Sequence, residues 1–318
     1  MQARKNNRWP HVAPLVLAVA LSACKTMPEL GNAGAGLGSL STAINASGVA
    51  PALPNAPVAQ SAALSDVVQG ASAALKDYSA QEQRELGQQF AAVLLGARPL
   101  LRNDAVQRYV NQVGSWVAQH ADPVLDANGR PMEFAWRFGV MDTDAVNAYA
   151  TPGGFVFVTL GLLRQLDSEA ELAAVLAHEI AHGVRAHYVA ALRKGGFAEA
   201  LGGLVQARAG ANAMTTAMVN AVRTIYQKGL DQSDEYEADR LGLLYAARAG
   251  YAPTGLQRVL QRYASRSVQD ANYIIFFSTH PAPADRLARL EPLMARKFAA
   301  LGGVTNDARL KAVQRQLK

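Results

Sequence analysis

The pentapeptide His178-Glu179-Ile180-Ala181-His182 constrains this chain more than any other feature of it. At about 100° per residue, a helix sets residues four apart within roughly 40° of each other and one turn apart, so both imidazoles share a face and can grip one ion. Glu179, beside the first of them, reaches a water at that ion without filling a coordination position, which is the arrangement of a general base next to a Lewis acid. A catalytic zinc ion usually has three protein ligands and one open position. The rest of the fold therefore has to bring a third donor to this helix.

The sequence narrows the search for that donor. One known solution needs Gly at 185 and His at 188, where this chain has Arg185 and Tyr188. His187, five residues beyond His182, falls about 140° round a continuing helix and is expected to point away from the ion in a structural role. Glu235-Tyr236-Glu237-Ala238-Asp239 is expected to begin a helix with Glu235 and Asp239 on one face and Glu237 turned away. Glu235 is the favoured third ligand, the alternative being a solvated acidic helix start. Asp239, one turn deeper, can accept the free ring N–H of a ligand histidine and fix its tautomer.

The surrounding elements follow from caps and periodicity. Ser79-Ala80-Gln81-Glu82 and Ser168-Glu169-Ala170-Glu171 have capping-box spacing. The first opens a helix to about Leu95, and a second is expected over Asp104–Gln119. The box at Ser168 opens the apolar helix that carries the pentapeptide. Glu133–Met141 and Val146–Thr159, rich in aromatic and β-branched residues, predict a few strands, interrupted at Thr151-Pro152-Gly153-Gly154. Everything after the pentapeptide reads mainly as helix. The Gly- and Ala-rich stretch Gly195–Thr216 has few stop signals and is expected to form a mobile cover. The fold class is α+β, mainly helical, with a small sheet beside the active-site helix.

At the start, Arg4, Lys5 and Arg8 precede an apolar stretch from Val12 to Leu21 and the small residues Ser22 and Ala23, the pattern of a secretion signal. The apolar run, broken by Pro14, falls short of the roughly 18 residues that span a bilayer. Leu21-Ser22-Ala23-Cys24 resembles a bacterial lipobox, and the only cysteine of the chain sits where a thiol is needed as lipid acceptor. Lys25 after it, rather than Asp, implies by analogy with known lipoproteins the periplasmic face of the outer membrane. From Lys25 to about Leu75 the chain is Ala, Gly, Ser, Asn and Pro with little charge and no aromatic residue. Such a composition cannot offset its chain entropy by burial and predicts a tether with a reach of roughly 40 Å. The expected organisation is a signal over 1–23, the acylated cysteine and tether over 24–78, and one enzymatic domain over 79–318. Removal of the signal lowers the formal charge from +6 to +3, no nucleic-acid signature. Half the 318 residues are hydrophobic, which excludes wholesale disorder.

Together, Asn147-Ala148-Tyr149-Ala150-Thr151-Pro152-Gly153-Gly154, the pentapeptide at 178–182 and Glu235–Gly242 resemble the HtpX, BepA and LoiP group of gluzincin metallopeptidases, over about Ser79 to Leu290. The lipobox and the lack of spanning helices or repeats bring the chain nearest to the lipid-anchored, LoiP-like branch. The resemblance implies a zincin-like fold, one zinc ion per chain, and His178, His182 and Glu235 as its ligands, with Glu179 catalytic. It implies peptide-bond hydrolysis in unfolded or misassembled envelope proteins. It gives Asn147 and Arg286 as further candidate site residues. Members often carry Ser-Arg where this chain has Asp231-Gln232, so the contacts of that arginine are not carried over. By likeness to similar zincins, Gly154, Phe155, Val156 and Phe157 are expected to pair with the substrate backbone, the alternative being an interior strand. His280, followed by Pro281, resembles a late motif whose histidine lies close to the metal; it is expected to mask the open position, to stabilise the oxyanion, or to cap a helix. The rival readings are a zinc-containing assembly factor or chaperone with suppressed proteolysis, and a tethered scaffold without metal.

Overall fold

The computed structural model describes residues 78–126, 128–194 and 211–317. The signal, Cys24 and almost all of the tether lie outside the described residues, as does 195–210 of the expected cover; 211–216 are helical.

The described residues open with α1 (Ala80–Ala97), where Ser79 and Glu82 form the reciprocal capping box, and α2 (Asp104–Ala118), capped by the Asn103 side chain. A short antiparallel ribbon follows, β1 (Val124–Leu125) with β2 (Pro131–Met132). Next come β3 (Arg137–Met141), β4 (Ala148–Ala150) and β5 (Phe155–Thr159), then the single-turn α3 (Leu160–Gln165). The expected strand over Glu133–Met141 shrinks to its second half, because Phe134 and Trp136 turn in to pack on each other and beneath Gly154. The helices α4 (Glu169–Val184), α5 (His187–Lys194), α6 (Ala211–Lys228), α7 (Gln232–Arg248), α8 (Gly255–Ala264), α9 (Ile274–Thr279), α10 (Pro283–Leu293) and α11 (Asp307–Gln314) complete it. The fold is mainly helical with small sheets, as the sequence predicts.

The three-stranded sheet has the order β3-β5-β4. β5 runs parallel to β3, with Arg137 opposite Phe155 and Met141 opposite Thr159. It runs antiparallel to β4, with Ala148 opposite Val158 and Ala150 opposite Val156. The turn between β4 and β5 relies on Gly153 at φ +70°, where a Cβ would also stand 2.4 Å from Arg84 Cα on α1. Thr159 locks the far end: its hydroxyl donates to the Asn147 carbonyl at 2.9 Å and accepts from the Leu162 amide at 3.2 Å, capping α3.

α4 is the centre of the domain. Every residue from Glu169 to Gly183 is buried, which explains why its apolar residues run all the way round. Only half of its expected capping box forms. Ser168 accepts from the Glu171 amide, but the Glu171 carboxylate accepts from Asp167 N and from Arg262 of α8 instead of closing the box. The helix ends at Val184 and the chain reverses through Ala186, rather than a glycine, at φ +53°, a conformation costing a non-glycine residue roughly 1–2 kcal/mol.

α7 crosses α4 at Gly242, where an added Cβ would lie 2.8 Å from His178 N and 3.0 Å from His178 Cα. That closeness lets the carboxylates one and two turns earlier on α7 reach the α4 histidines. Gly242→Val is expected to destabilise the domain by about 1–3 kcal/mol through overpacking. Chemical denaturation checks this, and an unchanged midpoint would mean that the two helices can part without cost.

Candidate metal centre

His178 and His182 project from one face of α4, with Nε2 atoms 3.1 Å apart. α7 starts at Gln232, three residues earlier than the sequence suggested, so Glu235 lies inside its first turn. Glu235 Oε2 stands 3.5 Å from His178 Nε2, and Oε1 stands 3.6 Å from His182 Nε2. Donors about 2.0–2.1 Å from a zinc ion at tetrahedral angles are about 3.3–3.4 Å apart. The observed spacings bracket that value. Glu235 is 2% exposed, and its Oε2 has no hydrogen-bond partner among the described residues, a costly state for a buried carboxylate unless a cation faces it. The residues fit a zinc ion.

His280 approaches the same point from the C-terminal end of α9. Its Nε2 is 3.7 Å from Glu235 Oε2, and donor atoms of His178, Glu235 and His280 all lie within 4.8 Å of one another. His182 converges on the same two residues, 3.1 Å from His178 Nε2, with Glu235 turning its other oxygen toward it. The His280 ring stacks on Phe276 at 4.8 Å.

Asp239 and Arg286 lie behind His178. Asp239 Oδ1 is 3.0 Å from His178 Nδ1, the contact expected of it. Arg286 of α10 donates from Nε to Asp239 Oδ2 at 2.8 Å and from Nη2 to Oδ1 at 2.5 Å. Both partners are almost wholly buried. Burial works against a proton on His178, yet the carboxylates of Asp239 and Glu235 beside it prevail and push it up to about 9. Burial also opposes ionisation of Asp239, but Arg286 and then His178 hold it at about 2. Glu235 meets the same opposition and stays well below the usual carboxylate range because His280, His178 and His182 face it. Burial pushes His182 well below its ordinary value and His280 down to about 4.

Glu179 differs. Burial, with the Glu235 charge adding, outweighs His178 and Arg286 and pushes its carboxyl up to about 7, the range in which a group both takes and returns a proton. Its Oε2 is buried with no hydrogen-bond partner among the described residues. A cavity of about 30 Å³, room for about one water, is lined by Glu179, His178, His280, Asn147 and Ala148 among others. Asn147 is buried at the start of β4, and its Oδ1 has no partner among the described residues.

The expected substrate strand does not hold. Gly154, Phe155, Val156 and Phe157 belong to the turn and the central strand β5, and β5 is paired on both sides, so it has no free edge to offer. The edge beside the histidines is β4. Asn147 and Thr151 direct their main-chain bonds to β5, so by alternation Ala148 and Ala150 turn theirs outward. Tyr226 of α6 donates to the Ala150 carbonyl at 2.5 Å.

Sequence reasoning misplaced His187. Because α4 stops at Val184, helical extrapolation no longer applies, and His187 returns against His182 with Nδ1 2.9 Å from His182 Nδ1. It also missed Tyr188 and Tyr226, whose rings stand 5.5 Å apart, with Tyr188 also packed against His182. No local signal marks them, since their proximity comes from the packing of α5 and α6. Asp231, at the departure from the Ser-Arg pattern, pairs with Lys194.

The profile of Peptidase family M48 matches residues 111–294, a stretch that contains all of these residues except some flanking support from α1 and α11. The beta-barrel assembly-enhancing protease of Escherichia coli (strain K12) is 27% identical over 215 residues, 65% of this chain and 42% of its own length. That of Yersinia pestis is 27% identical over 220 residues, 66% and 43%. The mitochondrial metalloendopeptidase OMA1 of Schizosaccharomyces pombe is 30% identical over 163 residues, 50% and 47%. The chain thus spans less than half the length of these relatives.

The buried ion pair generates a prediction. Asp239→Ala leaves Arg286 charged and unpartnered and is expected to cost about 3–5 kcal/mol, whereas Asp239→Leu with Arg286→Met recovers most of that loss. Denaturant titration of both variants distinguishes this from a pair that contributes nothing, for which the single variant would unfold like the wild type.

Proposed function

The chain belongs to peptidase family M48, and on that premise we propose that it is a zinc-dependent endopeptidase acting on unfolded or misassembled cell-envelope proteins. The observation that carries the reading is the pair of buried, unpartnered carboxylate oxygens on Glu179 and Glu235, set against the converging nitrogens of His178 and His182. In this reading His178, His182 and Glu235 hold the ion. Zinc, when bound, supplies Lewis acidity that polarises the scissile carbonyl and acidifies water. Glu179 takes the proton of the attacking water as the new C–O bond forms, and returns it to the amine nitrogen as the C–N bond breaks. Asp239, fixed by Arg286, holds the His178 ring in one tautomer. The outward main-chain groups of Ala148 replace those of β5 as the edge offered to an extended substrate, with Asn147 beside it. Main-chain pairing tolerates many sequences and suits unfolded clients.

The address rests on the sequence. A signal over 1–23, a lipid on Cys24 and a tether over 24–78 would hold the domain at the periplasmic face of the outer membrane. No helix of the described residues is long and apolar enough to cross a membrane. Relatives named as beta-barrel assembly-enhancing proteases support an envelope client.

A second reading has a specific observation behind it. His280 Nε2 reaches to 3.7 Å of Glu235 Oε2, where it would mask the position that a substrate carbonyl needs. An assembly factor with suppressed proteolysis would look like this. The test is digestion of a denatured outer-membrane protein by the purified protein at matched zinc content. Wild type is expected to cut and Glu179→Gln to lose roughly 10²–10⁴-fold in rate with zinc retained. His280→Ala is expected to raise cleavage or leave it intact if the histidine masks the site. Strong loss with zinc retained assigns it to the transition state, and absence of cutting by both wild type and His280→Ala favours the assembly factor.

A further inference from the structure

His182 has a second imidazole behind it. The His187 and His182 rings lie 5.0 Å apart at 71°, their Nδ1 atoms 2.9 Å apart, and His187 is 5% exposed. The other ring nitrogen of His187 meets Glu237 Oε2 at 3.4 Å, and Glu237 Oε1 accepts from Arg185 Nε at 3.0 Å. Both nitrogens of this buried ring are thus partnered, as burial requires, and one of the partners is a candidate metal ligand.

With a cation at His182 Nε2, these contacts have one consistent polarity. An imidazole that directs the Nε2 lone pair at a cation carries its hydrogen on Nδ1. His182 therefore donates to His187 Nδ1, which leaves the His187 hydrogen on Nε2, directed at the Glu237 carboxylate. Arg185 completes the row from the surface. We propose that His187, oriented by Glu237, is a positioning residue that fixes the ring angle and tautomer of His182 as a metal-binding side chain. The inference rests on the metal-site reading above and deepens it.

The backbone is shaped for this contact. A continuing α4 would carry residue 187 to the far side; the break after Val184 and the left-handed Ala186 bring it back over His182 instead. The two candidate ligands are thus supported differently. His178 is backed directly by a carboxylate, Asp239, whereas His182 is backed by an uncharged ring with its carboxylate one step further out.

The test measures zinc affinity of the full chain by competition with a chromophoric chelator, alongside the Tm of the chelator-stripped protein. His187→Phe keeps the ring volume and removes the acceptor; its zinc affinity is expected to fall by roughly 10- to 100-fold, out of proportion to any change in the stripped protein's Tm. His187→Asn, which can again accept from His182, is expected to regain part of the loss. Glu237→Ala, at a partly exposed position that does not threaten folding, is expected to weaken zinc in the same direction by less, and decides the matter should His187→Phe fail to fold. If wild type holds one zinc per chain and Glu237→Ala and the His187 variants hold it equally tightly, His187 is a packing residue and the inference falls alone. If wild type takes up no zinc, the metal-site reading falls and takes the inference with it.

Discussion

The crossing of α7 over α4 at Gly242 is the contact on which the site and the core both depend. It sets two helices close enough for carboxylates on one to face imidazoles on the other, and it does so inside a helix buried on every side. Burial then forces each further step. Asp239 and Glu235 lose water, so each needs positive charge within reach, and Asp239 finds it in Arg286. Arg286 is held by α10, which packs through Leu290 onto Ala174, Leu256 and Leu260 of α4 and α8. The apolar core and the polar site are therefore one arrangement, and a change in either is felt in both.

Within that arrangement similar groups behave differently. Asp239 sits against a guanidinium and is held at about 2, while Glu179 lies deep, flanked by another carboxylate, and rises to about 7. In the proposed mechanism the first would be a fixed negative charge that orients a ring, and the second the group that exchanges a proton. Environment alone separates the two roles, since the side chains carry the same functional group. In the first turn of α4, Glu169 is fully buried and its Oε1 accepts from Tyr251, Asn306 and Arg309.

What the sequence made legible is what depends on neighbours along the chain. The capping residues Ser79 and Ser168, the extents of α1 and α2, the start of α4, and the shared faces of His178 with His182 and Glu235 with Asp239 all follow from spacing within one or two turns. The strand order does not. Phe155-Val156-Phe157-Val158 has the composition of a strand, but only the pairing of β3 with β5 from 18 residues away shows that it is interior. His187 was misplaced for a related reason: nothing in Val184-Arg185-Ala186 marks a stop, because the break uses an alanine in a conformation that glycine would favour. Tyr226 reaches Ala150 across 76 residues, beyond any periodicity argument.

That tyrosine bears on how the peptidase reading meets the problem of an open strand edge. An exposed edge pairs with any extended chain, a hazard that folds limit by keeping edges short or covered. β4 has three residues, and the Tyr226 hydroxyl takes up the outward carbonyl at Ala150. What is left for pairing is the stretch around Ala148, which shares a cavity with Glu179, His178 and His280. An edge so restricted can align one extended segment over the site while offering too little backbone for a stable sheet with a second chain. In the proposed peptidase, binding by main-chain bonds would supply breadth of substrate, and the shortness of the edge would supply release.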